Sequence, residues 1–196
     1  MLLKSRYIHY YVIASCLVAG AIDLTMAIAM NRQSLLTSTI SDLAAGDFAS
    51  AQDIGLILVA IAIALTGLIV WRTGDQGWPS GIAAVLFGLT GPLIILISLY
   101  EAYSKTSPEN PVIHYYAVAA IGIFLAVALA ILAIVRGGGR PLFRYGTLLA
   151  ALIYLLAGAA TFGVSNDIIG LVERLAAIGL LVWLLSFHIG HLVEDE

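Results

Sequence analysis

Charge is what this chain has least of. Only 11% of its 196 residues are Asp, Glu, Lys or Arg, against 61% that are apolar, and the mean hydropathy is +1.02. A soluble domain carries about a quarter charged residues, and so short a chain cannot hide this much apolar surface from water. A soluble globular fold is excluded. The net charge of −3 arises from 9 basic and 12 acidic residues with no basic run, so nucleic acid is not an expected partner. Cysteine is limited to Cys16, which excludes an intramolecular disulfide framework and a thiolate metal cluster. Ile13-Ala14-Ser15-Cys16 resembles a lipoprotein cleavage box, but His9, Tyr10 and Tyr11 interrupt the apolar stretch before it, and apolar residues continue after it. The better reading of Cys16 is a buried, inert thiol. Also missing are an intramembrane lysine for a Schiff base, a glycine-rich phosphate loop, HExxH and GxSxG, and with them the chemistries those motifs carry. Paired broken helices in two halves, the mark of inverted-repeat transporters, are not found either.

What is present is six apolar blocks, at residues 7–30, 52–71, 78–100, 111–135, 143–164 and 168–191. Each is long enough to cross a hydrocarbon core about 30 Å thick at about 1.5 Å per residue. The expected fold is all-α, a polytopic bundle of six transmembrane helices in one domain over residues 1–196. Lys4, Arg6, Arg72, Arg136, Arg140 and Arg144 fall on one side of such a bundle and only Arg32 and Lys105 on the other. Six against two places both termini in the cytoplasm. Tyr7, Tyr10, Tyr11, Trp71, Trp78 and Tyr145 mark the inner boundary, and Tyr100, Tyr103, Tyr115 and Tyr116 the outer, as amphipathic rings do at an interface. Abundant Ala and Gly let helices approach closely, and the same faces suit a homo-oligomer or a membrane-protein partner. Gly91-Pro92 should kink the third span.

The segment from Asn31 to Ala51 is long for a compact bundle and is a candidate functional loop. Its apolar Ile40, Leu43 and Phe48 give it reason to fold back onto the helices. Four side chains lie where the hydrocarbon should have excluded them, since a charge there costs upward of about 2.5 kcal/mol. Asp23 sits about 10 Å inside the outer end of span one, His114 about 5 Å inside span four, and Glu173 and Arg174 about 8 Å inside span six. Ser41, Asp42, Tyr100 and Glu101 reach the same depth, and one outward-facing polar cavity would hold them all. Plainer readings exist. Thr39-Ile40-Ser41-Asp42 is also a capping box, Asn110-Pro111 a helix start that leaves His114 near the interface, and Glu173 with Arg174 a structural pair whose members point about 100° apart, toward different spans. At the opposite end His188 and His191 share a face of span six, with His9 at similar depth on span one; these are weak metal or haem candidates, against the simpler reading of interfacial histidines near a helix C-terminus. No cofactor is expected.

Ser41-Asp42-Leu43 after span one, His114-Tyr115 opening span four, and Gly170-Leu171-Val172-Glu173-Arg174-Leu175 followed by Trp183 in span six resemble the bacterial and archaeal domain-of-unknown-function 998 family. That family is distantly similar to the Frag/DRAM/Sfk group of six-span proteins, linked with lipid remodelling and distribution. The resemblance implies the fold, a prokaryotic cytoplasmic membrane and a lipid theme, and it carries over onto Asp42, His114, Glu173 and Arg174. The proline usual before the Ser-Asp element is replaced by Ser38-Thr39-Ile40.

Three functions are therefore expected to compete. The leading one is an outward-facing site for a membrane lipid or other amphipath, with Arg174 on an anionic head group, Asp23, Asp42, Glu101, His114 and Glu173 around it, and the tail between spans. A second is a hydrolase or acyltransferase with Ser41 as nucleophile, His114 as base and Asp42 or Glu173 orienting it, or a metal held by Asp42, His114 and Glu173. A third is a non-catalytic accessory subunit or scaffold.

Overall fold

A single apolar segment in hydrocarbon satisfies its own backbone only as a helix. In a computed structural model of the chain every apolar block is helical. The structure describes residues 2–29, 35–44, 49–73, 77–100, 110–136 and 141–194. Among these, α1 spans Leu2–Ala29, α2 Ile40–Ala44, α3 Ala49–Arg72, α4 Trp78–Leu99, α5 Asn110–Arg136, α6 Pro141–Ala160 and α7 Ile169–Glu194, with no strand. All but the five-residue α2 are long and apolar enough to cross a membrane. The protein is an integral, multi-pass membrane protein. The fifth span stops at Ala160, four residues before the expected end, because a turn begins at Thr161: its hydroxyl donates to the Gly158 carbonyl at 2.6 Å, and the Gly163 amide turns back to Ala160 at 2.9 Å. Gly91-Pro92 lies within an unbroken α4.

The six long helices form a closed ring. Each packs on its neighbours in sequence, α1 packs on α3, and α7 returns to α1. Side-chain bonds fix the alternating directions. Ser98 near the end of α4 donates to Asp53 near the start of α3 at 2.7 Å, and Arg174 near the start of α7 meets Asp23 near the end of α1. Glycine sets the closest approach. A Cβ on Gly67 would stand 2.7 Å from the Ala84 carbonyl oxygen, and one on Gly91 would stand 2.8 Å from that of Ala60, so α3 and α4 touch backbone to backbone. Gly67 and Gly91 are thus used inside the bundle.

Filling of the ring is uneven. Toward the chain termini its centre is packed by Ile63 and Val70 of α3, Phe87 of α4, Leu125, Leu129 and Leu132 of α5, and Trp183, Leu184 and Phe187 of α7. Phe87 and Trp183 stack across the axis with centroids 5.6 Å apart, and the Trp183 indole donates to Thr147 of α6 at 3.1 Å. Cys16 is buried in this plug. Tyr7, Tyr10, Trp71, Trp78 and Tyr145 ring the same end on the outside, all more than half exposed, where amphipathic rings meet the membrane interface. At the other end small residues and short side chains leave the ring open inside.

Candidate functional site

α2 and the turn before it lie over that open end. The turn is built by a reciprocal cap: the Asp42 amide donates to the Thr39 hydroxyl at 2.9 Å, and the Thr39 amide donates to the Asp42 carboxylate at 2.8 Å. Leu43 and Ala44 are buried beneath it, so the loop does fold back onto the bundle; Phe48 lies outside the described residues, as does Glu101.

The first turns of α7 pin this segment in place. A Cβ on Gly170 would collide with the Ser38 backbone, so glycine is what lets the chain pass there. The Leu171 amide donates to the Leu36 carbonyl at 3.0 Å. Glu173 accepts from the Ile40 amide at 2.8 Å. Arg174, 6% exposed, donates from Nε and Nη2 to Asp23 at 3.0 and 3.3 Å, and from Nη1 to the carbonyls of Leu35, Ser38 and Gly170. Its fork is engaged by protein on both sides. Arg174 is thus a clamp joining α1, α7 and the 35–39 segment.

Ser41 and His114 meet. The Ser41 hydroxyl lies 3.2 Å from His114 Nε2, and His114 Nδ1 lies 3.0 Å from the Tyr100 carbonyl. A carbonyl only accepts, so Nδ1 carries the proton, and in the neutral ring Nε2 accepts from Ser41. Neither Asp42 nor Glu173 orients the imidazole, as expected of a triad; the Tyr100 carbonyl does. Asp42, His114 and Glu173 thus bind three different groups, and among the described residues no three His, Cys, Asp or Glu side chains converge to hold a metal ion.

Below the segment lies a cavity of about 1040 Å³, at the upper end of the about 300–1,000 Å³ typical of small-molecule sites. Its walls are apolar residues of α1, α3, α4, α5, α6 and α7, among them Val59, Ile94, Val118, Ile121, Leu155, Ala177 and Leu181. Its polar residues gather at one end: Asp23, Thr39, Ser41, Gln52, His114, Tyr154, Glu173 and Arg174. Gln52 stands at the start of the second apolar block. It is 4% exposed, and its Oε1 has no hydrogen-bond partner. A neutral amide at a span edge gives no hydropathy signal, so its position became visible only with the cavity.

The opposite end holds a second polar group. Thr66 donates to the Ala62 carbonyl at 2.8 Å, which leaves its oxygen to accept from His188 Nε2 at 2.9 Å. His188 Nδ1 then accepts from His9 Nδ1 at 2.7 Å. His9 and His188 are fully buried and tie α1, α7 and α3 together. His191 stacks on His9 and donates Nδ1–H to the Phe187 carbonyl at 2.8 Å. Among the described residues no group of three His, Cys, Asp or Glu side chains that could hold a metal ion is found at this end either.

With this geometry in hand, comparison with known families is decisive for membership: the model of the family described as protein of unknown function DUF998 matches residues 12–189. The chain belongs to the DUF998 family. The match runs from within α1 into the last turns of α7, so in this DUF998 protein it takes in the ring, the cavity and the clamp. No curated protein and no solved structure matches it.

Proposed function

We propose that this DUF998 protein binds an amphipathic lipid in the cavity, with the chain among the apolar walls and the head group at the end formed by Ser41, Gln52, His114 and Glu173. The observation that carries the reading is the large apolar cavity with Ser41, Gln52, His114 and Glu173 in its lining, Gln52 being buried with an Oε1 that has no partner in the protein. A buried acceptor without a partner costs about 1–3 kcal/mol, and a ligand hydroxyl or amine relieves that cost. Charge supports the choice of head group. The cavity is lined by two carboxylic acids, Asp23 and Glu173, against one guanidinium, Arg174, and Arg174 is already engaged by Asp23 and three carbonyls. A neutral head rich in hydroxyl or amide donors fits this lining, and a phosphate does not. The distribution of basic residues supports an outer-leaflet site, and the proposed setting is the cytoplasmic membrane of a prokaryote.

The test compares two photoreactive amphiphiles with one acyl chain, a monoacylglycerol and a lysophosphatidate, on protein in nanodiscs. The monoacylglycerol is expected to crosslink to α5 and α6 with about tenfold preference, or about 1.4 kcal/mol, and Gln52→Leu to reduce it. Equal or stronger labelling by the phosphate compound overturns the head-group assignment, and labelling confined to the outer surface overturns the cavity.

A further inference from the structure

We propose that Ser41 and His114 are a nucleophile and general base that cleave or transfer the acyl group of a long-chain carboxylic ester held in the cavity. The inference rests on the amphipath-binding reading and adds chemistry to it. Three aliphatic hydroxyls line the cavity among the described residues. Thr39 accepts the Asp42 amide, and Thr161 donates to the Gly158 carbonyl. Ser41 alone of the three donates to a base, at 3.2 Å, the upper edge of the about 2.6–3.2 Å reach of a working pair. Three features make the pairing specific. The Tyr100 carbonyl fixes the His114 tautomer that leaves Nε2 free of a proton. His114 is 4% exposed and shielded from bulk water. The reciprocal Thr39–Asp42 cap and the Glu173 bond to Ile40 hold Ser41 on an anchored turn.

In the reaction, the Ser41 oxygen forms a bond to the ester carbonyl carbon while its proton passes to His114 Nε2. The carbon–oxygen bond to the alcohol then breaks, and His114 returns that proton to the departing alkoxide. Water, or a second alcohol in a transfer reaction, attacks the acyl-serine; its proton goes to His114, the bond to Ser41 breaks, and the serine recovers its proton. The products are an alcohol and either a carboxylic acid or a new ester. No redox partner is needed.

The probe is a hexadecyl fluorophosphonate, which phosphonylates an activated serine with loss of fluoride, applied to the full chain in nanodiscs and read by peptide mass spectrometry. Labelling of Ser41 is expected in the wild type, none in Ser41→Ala, and labelling slowed by about 10² or more in His114→Ala, the usual contribution of a general base. Added imidazole is expected to restore part of the His114→Ala rate, which a merely structural histidine does not allow. If Ser41→Ala fails to fold, Ser41→Cys replaces it. Alkylation of that thiol is expected to depend on His114, with Cys16 buried and silent. An unlabelled wild type that still crosslinks the monoacylglycerol overturns the chemistry and leaves the cavity reading standing. An unlabelled wild type that binds neither probe overturns both. Equal labelling with and without His114 removes the base.

Discussion

Breaking the Arg174 clamp isolates what holds the site together. In Arg174→Met the aliphatic stem is largely kept, while the fork to Asp23 and the bonds to the Leu35, Ser38 and Gly170 carbonyls are lost. Removing one partner of a buried pair costs about 3–5 kcal/mol in soluble proteins, whereas hydrogen bonds between membrane helices average about 0.6 kcal/mol with a maximum near 1.7. Arg174 makes one ion pair and three carbonyl contacts at a site partly screened from water, so a loss of about 3 kcal/mol is expected. Asp23→Asn alone should cost less, because an amide still accepts from the guanidinium. The double variant should recover about 1–2 kcal/mol relative to additivity, within the range for directly coupled residues. The assay is a double-mutant cycle by reversible denaturant titration in mixed micelles, alongside hydrogen exchange over residues 35–44. Additive effects within about 0.5 kcal/mol, or unchanged exchange over that segment in Arg174→Met, would refute the clamp.

Gly170→Ala should displace the Ser38 backbone, since its Cβ has no room there; deprotection of residues 35–44 by hydrogen exchange, with a global loss of about 1–3 kcal/mol, is the expected signature. Gly67→Leu should separate α3 from α4, whose backbones meet at that glycine, and lower thermal stability far more than Gly122→Leu, whose Cβ points into open space; a scan of unfolding temperature in one detergent compares the two. Gln52→Met should leave the ligand-free protein about 1 kcal/mol more stable, because it removes a buried acceptor without a partner, while weakening monoacylglycerol crosslinking.

Much of the architecture is written in the residues because bilayer thickness imposes a length and hydrocarbon imposes a composition. The six spans, the Thr39–Asp42 cap and the common depth of Asp23, Ser41, His114, Glu173 and Arg174 all follow from counting along helices. Which groups pair does not. Glu173 and His114 both look like members of a carboxylate–imidazole couple, yet each takes a backbone partner, the Ile40 amide and the Tyr100 carbonyl. Backbone groups have no residue type, so no spacing announces them. The carbonyl partners of Arg174 are hidden for the same reason, since three of its acceptors are backbone groups. The His9–His188–Thr66 chain depends on closing the ring between α1 and α7, which no local pattern encodes. The cavity depends on side-chain volume at each level of the ring: Phe87, Trp183 and several leucines fill one end, and Gly122, Gly158 and Ala177 leave space at the other.

That space offers the most direct measurement. Gly122 and Gly158 both line the cavity, and a Cβ on either meets nothing within 4 Å, so Gly122→Leu/Gly158→Leu fills it while replacing two helix-weakening glycines. Native mass spectrometry of gently purified wild type and filled variant should find an amphiphile with a hydroxyl- or amide-bearing head retained by the first and absent from the second, with the variant at least as stable. The same amphiphile retained by both, or none retained by the wild type, would contradict a ligand-holding ring.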